Sequence, residues 1–117
     1  FWYPGLLQIQ DAVNGSSILR SRADMTMYTG INFSHEPHVD YEFENIATVY
    51  YVNDSDGDTY LYEEMFEEEG EPKQFNILEK VTPKKGRAII FDGLRYHSSN
   101  CPIENKNRII LNADLIV

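Results

Sequence analysis

From Ile18 onward the sequence consists of short runs of β-branched and aromatic residues, separated by turn-forming residues and without a long helical period. The clearest run is Thr-Val-Tyr-Tyr-Val-Asn at residues 48–53. The polar turn sequence Asp-Ser-Asp-Gly-Asp follows at residues 54–58, and a second run occupies residues 59–62, so we expect a hairpin there. Further runs of strand character lie at residues 18–21, 25–28, 76–81, 87–91 and 108–117.

Roughly eight short strands in a chain of 117 residues predict one mainly β domain spanning residues 1–117. The pattern favours a double-stranded β-helix, the jelly roll of cupin-like proteins, whose closely facing sheets leave a pocket between them. Helix should be scarce and confined to about residues 6–13, with a turn at Asn14-Gly15. The acidic stretch 63–72 should be an exposed loop. The first residue is Phe rather than Met, which leaves open whether an N-terminal portion is missing.

The charge and cysteine content narrow the function classes. The net charge of -9 provides no basic face, so we expect no nucleic-acid partner and no anionic membrane surface. No apolar run approaches the eighteen residues of a membrane-spanning helix. Cys101 is the single cysteine, which excludes an internal disulfide and a cysteine-built zinc site and fits a reducing compartment. The expected location is therefore cytoplasmic, and the oligomeric state is left open.

A candidate metal site begins at His38-Val39-Asp40. On a strand, alternation places His38 and Asp40 on one face, where both can reach a single ion. His97, 59 positions later, can supply a third ligand. Two histidines and one carboxylate leave coordination positions open, as an iron(II) oxygenase requires. The helix motif of zinc hydrolases is absent. A surface His beside an Asp, with no metal role, is the alternative for this triplet.

Two further residues bear on this site. Arg108 lies eleven positions after His97, at the start of an apolar strand, and a guanidinium in such a place needs a partner. A bidentate carboxylate is the most suitable partner, and Asp114 is the structural alternative. His35 lies three positions before His38, which on a strand puts it on the opposite face, so we expect an exposed turn residue.

Taken in order, these segments resemble the prolyl 4-hydroxylase-like branch of the 2-oxoglutarate and Fe(II)-dependent oxygenases, over roughly residues 28–115. The family's Tyr-x-x-Gly-like segment before His-x-Asp is matched by Tyr28-Thr29-Gly30, and its Tyr-Tyr-Leu-Asn strand by residues 50–53. Its Gly-Gly-Glu-Thr-like turn is matched loosely by residues 56–59. Residues 83–91 match its Pro-x-x-Gly-Arg stretch and the hydrophobic strand that follows. His97 and Arg108 then stand where the family has its distal His and its Arg or Lys.

The resemblance implies a site of seven residues. Three would bind Fe(II), namely His38, Asp40 and His97, and Arg108 would pair with the distal carboxylate of the cosubstrate 2-oxoglutarate. Tyr28 and Tyr51 would place hydroxyl groups against the same cosubstrate, although each is equally compatible with a core aromatic. Asn112 lies four residues after Arg108, where relatives often carry Ser or Thr.

The activity that the resemblance implies is hydroxylation of a C–H bond with dioxygen, which converts 2-oxoglutarate to succinate and carbon dioxide. The substrate would be a peptidyl proline, an amino acid or a small metabolite. Two alternatives remain at this point. One is a non-catalytic jelly-roll binding module, and the other is a metal cupin that acts without 2-oxoglutarate.

Overall fold

The structure is a computed structural model that describes Gln8, Asp11, residues 17–31 and residues 33–116. The predicted helix near residues 6–13 falls almost wholly outside the described residues, and the predicted turn at Asn14-Gly15 falls outside them entirely. Within the described ranges there are seven strands, and every pairing between them is antiparallel. These strands are β1 (Ser17–Met27), β2 (Ile46–Tyr51), β3 (Thr59–Met65), β4 (Ile77–Val81), β5 (Ala88–Asp92), β6 (Arg95–Ser99) and β7 (Asn107–Ile116).

The strands form two sheets, one of four strands in the order β1-β7-β2-β5 and one of three in the order β4-β3-β6. The pairing is nested along the chain, because β1 pairs with β7, β2 with β5 and β3 with β4. Residues 33–40 join this pattern through two isolated antiparallel bridges to the end of β6, at Ser34–Asn100 and His38–His97. The prediction of a mainly β fold is confirmed. Among the described residues no helix is long and apolar enough to cross a membrane.

Several strand predictions are corrected by the structure. The runs at 18–21 and 25–28 are parts of one strand, β1. The expected hairpin over residues 48–62 is wrong, because β2 and β3 belong to different sheets and the turn sequence between them is a crossover. The acidic stretch is a loop only after Met65, where β3 ends. Strand β6 was not predicted, since its sequence Arg-Tyr-His-Ser-Ser has little apolar character.

The core lies where the two sheets meet. Val49, Tyr51 and Ile110 are its buried centre, and Val81, Ile89 and Phe91 pack against them. Alternation along β7 then determines what else faces inward, because residues two apart on a strand share a face. Polar side chains at positions 108, 112 and 114 therefore extend from the same face as Ile110, and all of them line a cavity. The apolar core thus passes directly into a polar site.

Candidate metal centre

A cavity of about 440 Å³ opens beside this core and receives residues from both sheets. A volume of this order suits a small-molecule ligand. Its walls come from β1, the segment 35–40, β2, β5, β6 and β7. The polar residues among them are Arg22, Asp24, Thr26, His35, Glu36, His38, Asp40, Thr48, His97, Ser98, Ser99, Arg108, Asn112 and Asp114. All three histidines of the chain therefore face one cavity.

His38 and His97 are held side by side by their own backbones. Each donates its backbone N–H to the carbonyl of the other, at an N···O distance of 3.0 Å. Their ring centroids lie 4.6 Å apart. The His38 Nδ1 is 3.0 Å from the carbonyl oxygen of Glu36, and the His97 Nδ1 is 3.1 Å from that of Arg95. A carbonyl only accepts, so Nδ1 carries the proton in each ring and the Nε2 lone pair is directed elsewhere.

Asp40 completes a cluster with those two Nε2 atoms. Its Oδ1 lies 3.5 Å from His38 Nε2, and its Oδ2 lies 3.9 Å from His97 Nε2. The ligand atoms of the three residues all fall within 4.8 Å of one another. Adjacent ligands on one ion, each at about 2.1 Å, stand about 3 Å apart, so small side-chain rotations close the remaining gap. Two imidazoles fixed through Nδ1 and one carboxylate fit a transition-metal ion.

The charges within the cluster are strongly coupled. The hydrogen bond with His38 is the main reason why the pKa of Asp40 is lowered to about 2. The same contact raises the pKa of His38 above its ordinary value. Burial has the opposite effect on His97 and lowers its pKa. Burial therefore favours the neutral form of His97, the form that binds a metal, whereas the contact with Asp40 favours the protonated form of His38.

Arg108 enters the cavity from β7 and is only 3% exposed. Its Nε donates to the carbonyl of Gly57 at 2.7 Å, and its Nη2 donates to the Thr59 hydroxyl at 2.6 Å. Burial lowers the pKa of its guanidinium. Within residues 17–31 and 33–116 no carboxylate lies within 4.0 Å of Arg108. Asp114, the structural alternative, instead pairs with Arg20. A buried cation without an anion is suited to an anionic ligand.

The three accessory residues predicted around Arg108 have different surroundings. Tyr51 is fully buried and donates its hydroxyl to Thr59 at 2.7 Å, so it supports Arg108 from the core rather than lining the cavity. Tyr28 is 50% exposed and is not among the cavity-lining residues described. Asn112 does line the cavity and donates to Asp24 at 2.9 Å. His35 is exposed, as expected, but it also lines the cavity, which strand alternation did not predict.

The sequence reasoning missed two kinds of site residue. Thr59 accepts hydrogen bonds from both Arg108 and Tyr51, and the loose match of residues 56–59 to a family turn was the available signal for it. Arg20 and Asp114 pair across β1 and β7, next to Asp40, and no local motif points to that contact.

No known family model and no curated protein matches the sequence. Among solved structures, the chain is similar to an HTH_3 family transcriptional regulator from Vibrio cholerae, with a TM-score of 0.39 and 13% sequence identity. The match covers 86% of this chain and 49% of the regulator's chain, so this chain spans about half the length of that protein. Similarity at this level supports no conclusion about fold or function.

Proposed function

We propose that this chain is a jelly-roll domain of the 2-oxoglutarate and Fe(II)-dependent oxygenases, and that it hydroxylates a C–H bond of a peptidyl proline, an amino acid or a small metabolite. The observation that carries the proposal is the convergence of four residues on one cavity. His38 and Asp40 come from one segment, and His97 and Arg108 from two separate strands, and all four line the cavity.

The nested strand pairing supports the fold part of this proposal. A jelly roll follows from an eight-segment antiparallel hairpin rolled up so that segment 1 pairs with 8, 2 with 7, 3 with 6 and 4 with 5. If residues 33–40 count as the second segment, the pairs β1–β7, 33–40 with β6, β2–β5 and β3–β4 follow that scheme. The additional pairs β2–β7 and β3–β6 join them into two sheets.

The charged groups that line the cavity support the proposal that 2-oxoglutarate is the cosubstrate. The cavity offers the two imidazoles and the Asp40 carboxylate, which suit a divalent ion. Arg108, held rigidly by Gly57 and Thr59, offers a buried guanidinium that has no carboxylate partner among the described residues. A dicarboxylate such as 2-oxoglutarate can satisfy both sites at once, one carboxylate near the metal and the other on Arg108.

In this proposal the protein's own residues have distinct tasks. His38, Asp40 and His97 would hold Fe(II), and Arg108 would orient the cosubstrate. Bound Fe(II) and 2-oxoglutarate would supply the oxidising power toward dioxygen, with succinate and carbon dioxide as products. The Thr59 hydroxyl and the buried Tyr51 keep Arg108 in place, and Phe91 packs edge-on against His97 at 5.1 Å, which limits water on that side of the metal site.

Anaerobic calorimetry tests the proposal directly. The metal-stripped protein is titrated with Mn(II), a redox-silent substitute for Fe(II), and then with 2-oxoglutarate. We expect metal binding at one site and 2-oxoglutarate binding that depends on the metal and falls sharply in Arg108→Met. A binding module would show neither event. A metal cupin acting without 2-oxoglutarate would bind the metal but would show no effect of Arg108→Met.

A further inference from the structure

Strand β1 changes register immediately beside the metal cluster. Ile18 pairs with Leu115 and Arg20 pairs with Asp114, so the register shifts by one residue between Ile18 and Arg20, as in a β-bulge. Leu115 and Asp114 are neighbours and project to opposite faces of the sheet. Residues 20–27 of β1 keep one register with β7, so Arg20 shares the inner face of Arg22 and Asp24, which line the cavity. The register shift lies on the other side of Arg20 and places Ile18 on the face of Leu115.

Turned inward, Arg20 lies between two carboxylates. Its Nη2 is 3.4 Å from Asp114 Oδ2 and 3.5 Å from Asp40 Oδ2. Both distances exceed the 2.7–2.9 Å typical of a single charge-assisted hydrogen bond, so one nitrogen is shared between the two oxygens. The guanidinium carbon also lies 5.5 Å from the centre of the Tyr41 ring, which restricts the plane of the group.

This arrangement is poor as a purely structural ion pair. Among the described residues, Arg20 Nε is buried without a hydrogen-bond partner. The side chain of Asp114 is only 3% exposed, yet its Oδ2 is 3.4 Å from the Arg20 Nη2. A pair optimised for stability would give Asp114 a close, two-bond contact with the guanidinium. The arrangement instead keeps Arg20 within reach of Asp40.

We propose that Arg20 is a positioning residue for Asp40, which holds Oδ2 of that carboxylate so that Oδ1 alone is offered to the metal. This inference rests on the proposed function. Oδ1 is the oxygen nearer to His38 Nε2, at 3.5 Å. A carboxylate that bound through both oxygens, or Asp114 binding beside it, would fill coordination positions that a chelating cosubstrate and dioxygen need. Arg20 keeps those positions open by occupying one oxygen of each carboxylate.

The inference predicts opposite effects on two ligands, which separates positioning from a structural role. In Arg20→Met, a positive charge disappears and both carboxylates become free. We expect Mn(II) to bind about tenfold more tightly, as loss of one nearby like charge predicts. We expect 2-oxoglutarate to bind the Mn(II)-loaded protein about tenfold more weakly, because its coordination positions are contested. The visible spectrum of the Co(II)-substituted protein should change as well, since it reports coordination geometry.

Arg87→Met is the matched control. It removes the same charge from an exposed arginine whose Nη1 donates to the Thr82 carbonyl at 2.8 Å, and it should leave both affinities and the Co(II) spectrum as in the wild type. Arg20→Lys serves if Arg20→Met fails to fold. Lysine keeps the positive charge but lacks the planar guanidinium that can contact two carboxylates at once. We therefore expect the 2-oxoglutarate affinity to fall several-fold and the Mn(II) affinity to stay within about twofold of the wild type.

Several results would contradict these proposals. Equal weakening of both ligands, or tighter Mn(II) with unchanged 2-oxoglutarate and an unchanged Co(II) spectrum, would overturn the positioning role. Wild-type behaviour of Arg20→Lys would overturn it too, because charge alone would then suffice. If the wild-type protein bound no Mn(II), the proposed function itself would be refuted. This measurement comes before that of any Arg20 variant, so the two failures are distinguishable.

Discussion

His38 and His97 are joined by two reciprocal backbone hydrogen bonds, each with an N···O distance of 3.0 Å, although 59 positions separate them in the sequence. The two imidazoles are therefore neighbours before any ion arrives. Their Nδ1 atoms are already occupied by carbonyls, so the proposed binding of an ion would require little further ordering.

The first prediction concerns the three ligands. Replacing either His97 or Asp40 with Ala should abolish 2-oxoglutarate-dependent succinate formation in the presence of Fe(II) and dioxygen, because two ligands do not hold the ion in this geometry. His35→Ala is the control, since His35 faces the same cavity without belonging to the metal cluster. Succinate, quantified by mass spectrometry, is the measurement. Full turnover in either ligand variant would refute the site assignment.

A second prediction concerns Gly57, where a side chain has no room. A Cβ atom there would meet the Asn100 carbonyl oxygen at 2.6 Å and Arg108 Cδ at 3.0 Å. Gly57→Ala should therefore displace Arg108 and weaken 2-oxoglutarate binding by at least tenfold, roughly the loss of one charged hydrogen bond, while Mn(II) affinity stays close to the wild-type value. Gly86→Ala serves as the control for backbone strain alone, because its φ of +85° disfavours a side chain although nothing lies within 4 Å of its Cβ position. Calorimetry that finds both ligands unaffected in Gly57→Ala would contradict the prediction.

The shared hydroxyl of Thr59 gives a third prediction. Thr59→Val keeps the side-chain shape but leaves the buried Arg108 Nη2 without its acceptor, at a cost of about 1–3 kcal/mol in the free energy of unfolding. Tyr51→Phe removes a donor and leaves the acceptor with its bond to Arg108, so its cost should be smaller, about 1 kcal/mol. Urea denaturation of the metal-free proteins measures both. A larger loss of unfolding free energy in Tyr51→Phe than in Thr59→Val would contradict this prediction.

Asp56 allows a prediction of pH dependence away from the metal. Burial acts to raise the pKa of its carboxyl, but hydrogen bonds from the backbone N–H groups of Glu104, Ile103 and Asn105 outweigh burial and lower it below 3.8. A lowered folded-state pKa contributes stability above the unfolded value, and that stability is lost as pH falls through the folded value. Asp56→Asn should therefore be less stable than the wild type at pH 6, with the difference shrinking below about pH 4. A difference independent of pH would contradict this assignment.

The sequence predicts a site residue when the pattern that identifies it lies in neighbouring positions of the chain. His38-Val39-Asp40 and Arg108 could be picked out because spacing and strand position are readable in one dimension. Strand β6 escaped detection even though it carries His97, because its polar sequence takes its conformation from pairing with β3 and with His38. The contact of Arg20 with Asp114 depends on the pairing of β1 with β7 across 94 positions, which no local pattern encodes.

The same reasoning explains the incorrect hairpin. Residues 48–53 and 59–62 have strong strand character with turn residues between them, and local pattern alone favours joining them. In the fold, Tyr51 and Thr59 do meet, but through a hydrogen bond between their side chains across the two sheets. The predicted pairing of the two strands is therefore wrong, although the side chains of Tyr51 and Thr59 meet.

The nested pairing of the strands also determines when the site can form. Arg20 and Asp114 lie 94 positions apart, so their contact requires distant parts of the chain to meet, whereas β3 and β4 are joined by residues 66–76 alone. Contacts of long sequence separation pay a large loop-closure entropy and slow the folding of β proteins. Strand β1 is held by β7 alone among the described strands. In the proposed function, Asp40 would acquire its Arg20 contact only once β1 pairs with β7, so that tight cosubstrate binding would report completed folding.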